Sequence, residues 1–194
     1  MPVSAAKAEI RKAALARRAA LGEAERATRS ARALRHLEPI LKSGETVSLF
    51  WPIRDEIDPR RIFPVILARG GRLALPAIVE GRLVFRAFAG EAGLERGTFG
   101  TRHPDASSPE IAPDLIVAPL AAFDRAGGRL GYGRGYYDTV IARLMEAGHS
   151  PRLAGLAFAC QEVEEVPMEA HDIRLSVIAT EDGLIETPTQ KAQA

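Results

Sequence analysis

The chain has 194 residues, 46% hydrophobic and 26% charged, the balance of an ordinary globular protein of one domain. Twenty-six Lys and Arg against 25 Asp and Glu leave a formal net charge of +1, too little for a basic field that would hold nucleic acid or a membrane surface. A lone cysteine, Cys160, excludes an internal disulfide framework and a cysteine-based zinc site, and no apolar run approaches the length of a bilayer span. The first residues mix Lys7, Glu9, Arg11 and Lys12 with alanines and lack an apolar signal core, so a cytoplasmic protein is expected.

Residues 4–21 predict a first helix, with Ser4 at its N-cap and Gly22 as its stop. Its apolar stripe is thin (Ile10, Ala14, Leu15, Leu21), and Lys7, Arg11, Lys12, Arg17 and Arg18 make the rest basic. A second helix is predicted over 23–42 from the spacing of Ala27, Leu34, Leu37 and Leu41. Residues 46–51 suit a buried strand, and 59–68 a helix that must accommodate Pro64. Strands are predicted at 72–75 and 82–88, a surface excursion at 89–113, and a buried strand, apolar in every central position, at 114–118. A glycine-rich loop over 124–135 leads into a helix at 136–147, followed by strands at 153–159 and 176–180. The tail from Glu186 reads as disordered. Alternating strands and helices predict an α/β protein with a mostly parallel sheet covered on both faces.

The chemistry concentrates in residues 123–138, FDRAGGRLGYGRGYYD. Five glycines in nine residues let the backbone turn freely and approach a ligand closely. The loop follows an apolar strand and opens a helix, so its amides and the helix N-terminus suit a phosphate, with Arg129 and Arg134 adding full positive charge. Asp138, in the first helical turn, can hold a magnesium ion against phosphates or simply complement the helix dipole. The spacing matches neither a P-loop nor a dinucleotide fingerprint. Lys7 and Arg11 stand one turn apart and share a helix face.

The run DLIVAP at 114–119, Phe123-Asp124 and RLGYGRGYYD at 129–138, in that order, closely resembles the signature of the 5-formyltetrahydrofolate cyclo-ligase family. The basic first helix, the DEID stretch at 55–58, Val166-Pro167 and His171-Asp172 extend the resemblance over nearly the whole chain. It implies a three-layer α/β/α sandwich and an ATP- and magnesium-dependent closure of 5-formyltetrahydrofolate to the 5,10-methenyl compound. It further implies that Lys7, Arg11 and residues Arg129, Leu130, Gly131, Tyr132, Gly133, Arg134, Gly135, Tyr136 and Tyr137 bind ATP. Residues 132–136 would be shared with the folate, Trp51 and Glu56 would line the folate pocket, and Asp138 and Asp172 would hold Mg2+. Arg134 and Glu56 would carry the chemistry. Two departures stand out: Arg134 replaces a glycine common in bacterial relatives, and His103 replaces an acidic residue before Pro104. The expected partners are small molecules, with no nucleic acid and no membrane, and a monomer is expected.

Overall fold

The computed structural model describes residues 3–97, 100–170 and 172–188. Helix α1 (Val3–Ala19) comes first, and Gly22 then serves as N-cap of α2 (Glu23–Leu37). The second helix ends five residues sooner than its periodicity suggests. Pro39 cannot donate within an α-helix, and the chain tightens there into a 3-10 turn, Glu38–Ile40. Strand β1 (Thr46–Ser48) is short, and a 3-10 turn at Arg60–Ile62 leads into α3 (Phe63–Ala68). Pro64 lies in the first turn of α3, where its missing N–H has no consequence.

Strands β2 (Arg72–Val79) and β3 (Arg82–Ala87) form a hairpin. β2 runs past the predicted end through Pro76; β1 pairs only as far as Ala74, so the proline leaves no ladder bond unmade on that side. The excursion at 89–113 contains a small hairpin of β4 (Leu94–Arg96) and β5 (Arg102–Pro104). Next come β6 (Leu115–Pro119) and a second small hairpin, β7 (Ala122–Phe123) with β8 (Arg129–Leu130), whose second strand falls inside the predicted glycine loop. Helix α4 (Tyr136–Glu146), β9 (Arg152–Leu156), β10 (Val177–Thr180) and β11 (Gly183–Glu186) complete the order.

The main sheet runs β11-β10-β9-β6-β1-β2-β3, parallel through its five central strands and antiparallel at both edges. Alternation along β6 divides the core. Leu115 and Val117 face α2 and α3 with Leu34, Leu37 and Ile66, whereas Ile116 faces Val140 and Ile141 of α4. The result is a three-layer α/β/α sandwich. The tail expected from Glu186 is corrected at its start, since Glu186 pairs with Val177 and Thr187 bonds to the backbone of Ser176 and Leu175. Residues 189–194 lie outside the described part.

From β1 the chain crosses through α3 to β2 on one side; from β6 it crosses through α4 to β9 on the other. The strand order therefore reverses between β1 and β6. A crevice forms beyond the carboxyl ends of such a pair, and there open α/β sheets bind ligands. Trp51 and Glu56 follow β1, and the glycine loop follows β6.

Candidate active site

The loop has a rigid base. Asp124, 3% exposed, accepts hydrogen bonds through Oδ1 from the N–H groups of Ala126 (2.9 Å) and Gly128 (2.8 Å), and through Oδ2 from that of Val166 (2.8 Å). Gly127 sits at φ +85°, and a Cβ there would lie 2.4 Å from the Leu175 carbonyl oxygen, so only glycine fits. Leu130 is buried beneath α1 with Ala14, Ala122 and Val166, and contributes backbone alone to any ligand.

The tip of the loop is open. Residues 131–135 are exposed, and Gly133 (φ +89°) and Gly135 (φ +65°) take conformations other residues avoid. Gly135 is the N-cap of α4, so the loop amides and the first turn of an 11-residue helix face the same crevice. Arg134 stands at this tip.

Helix α1 lies across the tip and supplies cations. Arg11 Nε donates to the Gly131 carbonyl at 2.7 Å, and its guanidinium covers the space beside Gly133. Lys7 Nζ reaches Asp172 at 2.5 Å and Glu169 at 2.7 Å. Burial opposes the ammonium charge, but its bonds to the two carboxylates prevail and hold its pKa above the ordinary lysine value. Lys7 and Arg11 thus share a face, as their spacing predicts, and both meet the site.

Arg129 differs from the expectation of a phosphate-facing cation. Its side chain is buried, donating to the Ile173 carbonyl and, at 2.8 Å, to Asp138 Oδ1. The Ile173 N–H donates to the same Oδ1 at 3.1 Å, which brings Asp138 beside the segment carrying Asp172. Both bonds to Asp138 fall on one oxygen, and both Lys7 Nζ and the Glu169 N–H reach Asp172 through Oδ2. Among the described residues no group of three or more His, Cys, Asp or Glu is placed to hold a metal. Asp138 and Asp172 are each ion-paired, to Arg129 and to Lys7, and are the two carboxylates here that could sit against a magnesium ion together with substrate phosphates and water.

On the β1 side, Glu56 is 8% exposed. Its Oε1 accepts from the Tyr132 hydroxyl at 2.5 Å and its Oε2 from the Ile53 N–H at 3.0 Å. Burial lifts its carboxyl pKa, against the pull of those two bonds and the Arg18 charge. Burial and the nearby Glu56 charge likewise push the Tyr132 hydroxyl well above the usual tyrosine value. Trp51 lies 6.4 Å from Phe88, ring to ring, with the guanidinium groups of Arg60 and Arg102 at 4.9 and 5.1 Å from its own ring. A cavity of about 280 Å3 opens next to Phe88, lined also by Gly90, Ala92 and Pro104. His103 stays on β5, 3.7 Å from Glu95. His171 lies outside the described residues.

The two tyrosines that open α4 are half-buried. Tyr136 packs partly into the core, and Tyr137 lies edge-on to Phe85 at 6.4 Å with its hydroxyl buried and unpaired. Missed in the sequence were Asp124, Glu169 and, above all, Arg18. Its signal was a stripe rather than a motif: Lys7, Arg11, Ala14 and Arg18 follow one helix face, and Ala14 and Arg18 are the residues α1 buries.

A sequence profile of the 5-formyltetrahydrofolate cyclo-ligase family matches residues 3–181. The chain belongs to that family. The cyclo-ligase of Mycolicibacterium smegmatis is 29% identical over 187 residues, covering 90% of this chain and 93% of its own. The Escherichia coli K12 cyclo-ligase is 29% identical over 149 residues, 73% of this chain and 81% of its own. The NMR structure of Aquifex aeolicus 5,10-methenyltetrahydrofolate synthetase superposes with a TM-score of 0.78 at 28% identity, covering 97% of this chain and 96% of that one. The chain therefore shares its fold with that synthetase, and no helix among the described residues is long and apolar enough to cross a membrane.

Proposed function

We propose that this chain, as a single domain, uses ATP and magnesium to cyclise 5-formyltetrahydrofolate to 5,10-methenyltetrahydrofolate, releasing ADP and phosphate. Family membership supports the reaction class. One contact carries the assignment of residues: the hydroxyl of Tyr132, at the tip of the glycine loop, donates to the buried Glu56 on the opposite wall of the crevice. A nucleotide loop and an acid suited to a second substrate are thereby joined at one point.

A formamide carbonyl is a poor electrophile and its oxygen a poor leaving group. Transfer of the γ-phosphoryl group from ATP to the formyl oxygen addresses both, with ADP as the first product. N10 then attacks the formyl carbon and loses its proton, and phosphate departs to leave the methenyl bridge. Phosphoryl transfer asks a protein mainly for positioning and charge neutralisation. The loop amides, Lys7, Arg11 and Arg134 supply that charge. Arg129 acts one step removed, by holding Asp138. Asp138 and Asp172 would hold magnesium, which when bound neutralises phosphate charge. Glu56, with its raised pKa, is the group to receive the N10 proton. Trp51 and the hollow beside Phe88 offer an apolar wall for the folate rings.

The test is near-ultraviolet absorbance of purified protein with 5-formyltetrahydrofolate and magnesium, started with ATP, because the conjugated product absorbs at longer wavelength than the substrate. An ATP- and magnesium-dependent rise that is lost in Asp138→Ala is the expected result. ATP binding with no rise would leave a nucleotide binder whose acceptor is not this folate.

A further inference from the structure

Arg18 is 3% exposed, deep for an arginine, on a helix that otherwise buries only Ala14 among its described residues. Its guanidinium donates to Asp55 Oδ1 and to the Tyr132 hydroxyl, both at 2.8 Å, and lies 5.8 Å from the Tyr132 ring centre. The buried Nε has no hydrogen-bond partner. A buried cation with an unmet donor is held by its remaining partners alone, and here those two partners, Asp55 and Tyr132, belong to two separate segments.

Tyr132 itself is 43% exposed and stands between two glycines, so neither packing nor backbone stiffness fixes it. Its hydroxyl has one proton to give. By donating into the hydroxyl oxygen, Arg18 occupies a lone pair and leaves the tyrosine proton directed at Glu56 Oε1. Asp55 in turn fixes Arg18, and it is the immediate neighbour of Glu56. We infer that Arg18 is a positioning residue for the reaction, fixing the Tyr132 hydroxyl against Glu56 and so setting the nucleotide loop and the folate-side acid in one register. This inference rests on the assignment of Glu56 proposed above. The groups that act on Glu56 are the Tyr132 hydroxyl, the Ile53 N–H, Arg18 and Asp55, with Tyr137 nearby, and Arg18 is the positive charge with the strongest hold on it.

The experiment is steady-state cyclisation across pH by the full chain with ATP and magnesium. It compares Arg18→Met, Arg18→Lys, Tyr132→Phe, Glu56→Gln and the Arg18→Met/Tyr132→Phe double variant, with thermal unfolding measured alongside. Arg18→Met should lower kcat/KM for 5-formyltetrahydrofolate by about 10- to 100-fold and shift the acidic limb of its pH profile upward, since a cation near Glu56 is lost. Arg18→Lys should recover part of both. The double variant should be no worse than the poorer single variant, to within about threefold, because both changes break one linkage. Losses that multiply, or an acidic limb that does not move, would show that Arg18 only fills space and would overturn the inference. If Arg18→Met does not fold, Arg18→Lys and its double variant with Tyr132→Phe make the same comparison. Normal turnover in Tyr132→Phe with impaired Glu56→Gln overturns the role of Arg18 alone. Normal turnover in both removes the Glu56 assignment and this inference with it.

Discussion

The glycine loop has two halves that are held in opposite ways. Its base, around Asp124, Gly127 and Gly128, is buried and saturated by bonds within some four residues in sequence, plus one to Val166. Its tip, residues 131–135, is exposed and tied by Arg11 and Arg18, more than a hundred positions away. Local bonding gives a fixed platform that no ligand needs to order. Distant tethering gives a tip whose geometry depends on another element, and which can therefore be tuned without disturbing the platform.

The sharpest way to break that contrast is at the base. Asp124→Ala leaves three N–H groups without their acceptor, two of them in buried surroundings, and should lower stability by about 3 kcal/mol or more, read by chemical denaturation. A loss below about 1 kcal/mol would mean that the base is no more fixed than the tip. Glu56→Gln, opposite the tip, should behave differently, with kcat/KM falling about 10²- to 10⁴-fold while the unfolding midpoint moves little. The pH dependence sharpens this. A carboxyl whose pKa is raised in the folded state contributes stability at pH values below its ordinary value and loses it as pH rises through the raised one. Wild-type activity should climb over that same interval, with an acidic limb above the ordinary carboxylate range, and Glu56→Gln should flatten it. The smallest effect belongs to Tyr137, whose hydroxyl is buried and unpaired. Tyr137→Phe should leave the protein as stable as the wild type, or up to about 1 kcal/mol more so, in the same denaturation experiment.

The same contrast governs what could be read in the sequence. β6 was legible because every central residue is apolar, and α4 because a glycine loop precedes an amphipathic run. Lys7 and Arg11 were legible as a pair because helical spacing places them together. The hairpins β4–β5 and β7–β8 were not, since strands of two or three residues carry no measurable period. The edge strand β11 was not, since its four residues carry no measurable period and its last, Glu186, is where the polar tail begins. Arg18 escaped for a different reason. It is one of five cations on a basic helix, and periodicity gives the face a residue occupies, not whether a tyrosine 114 positions later will cover it.

Three contacts of α1, from Lys7 to Asp172, Arg11 to Gly131 and Arg18 to Tyr132, span 165, 120 and 114 residues. During synthesis, the first helix leaves the ribosome long before the segments it must meet have been made. It has little apolar surface with which to dock earlier, so the crevice can be completed only after residues 131–172 have joined the sheet. Catalytic competence is accordingly a late property of the folding chain, and partial unfolding that frees α1 would abolish it.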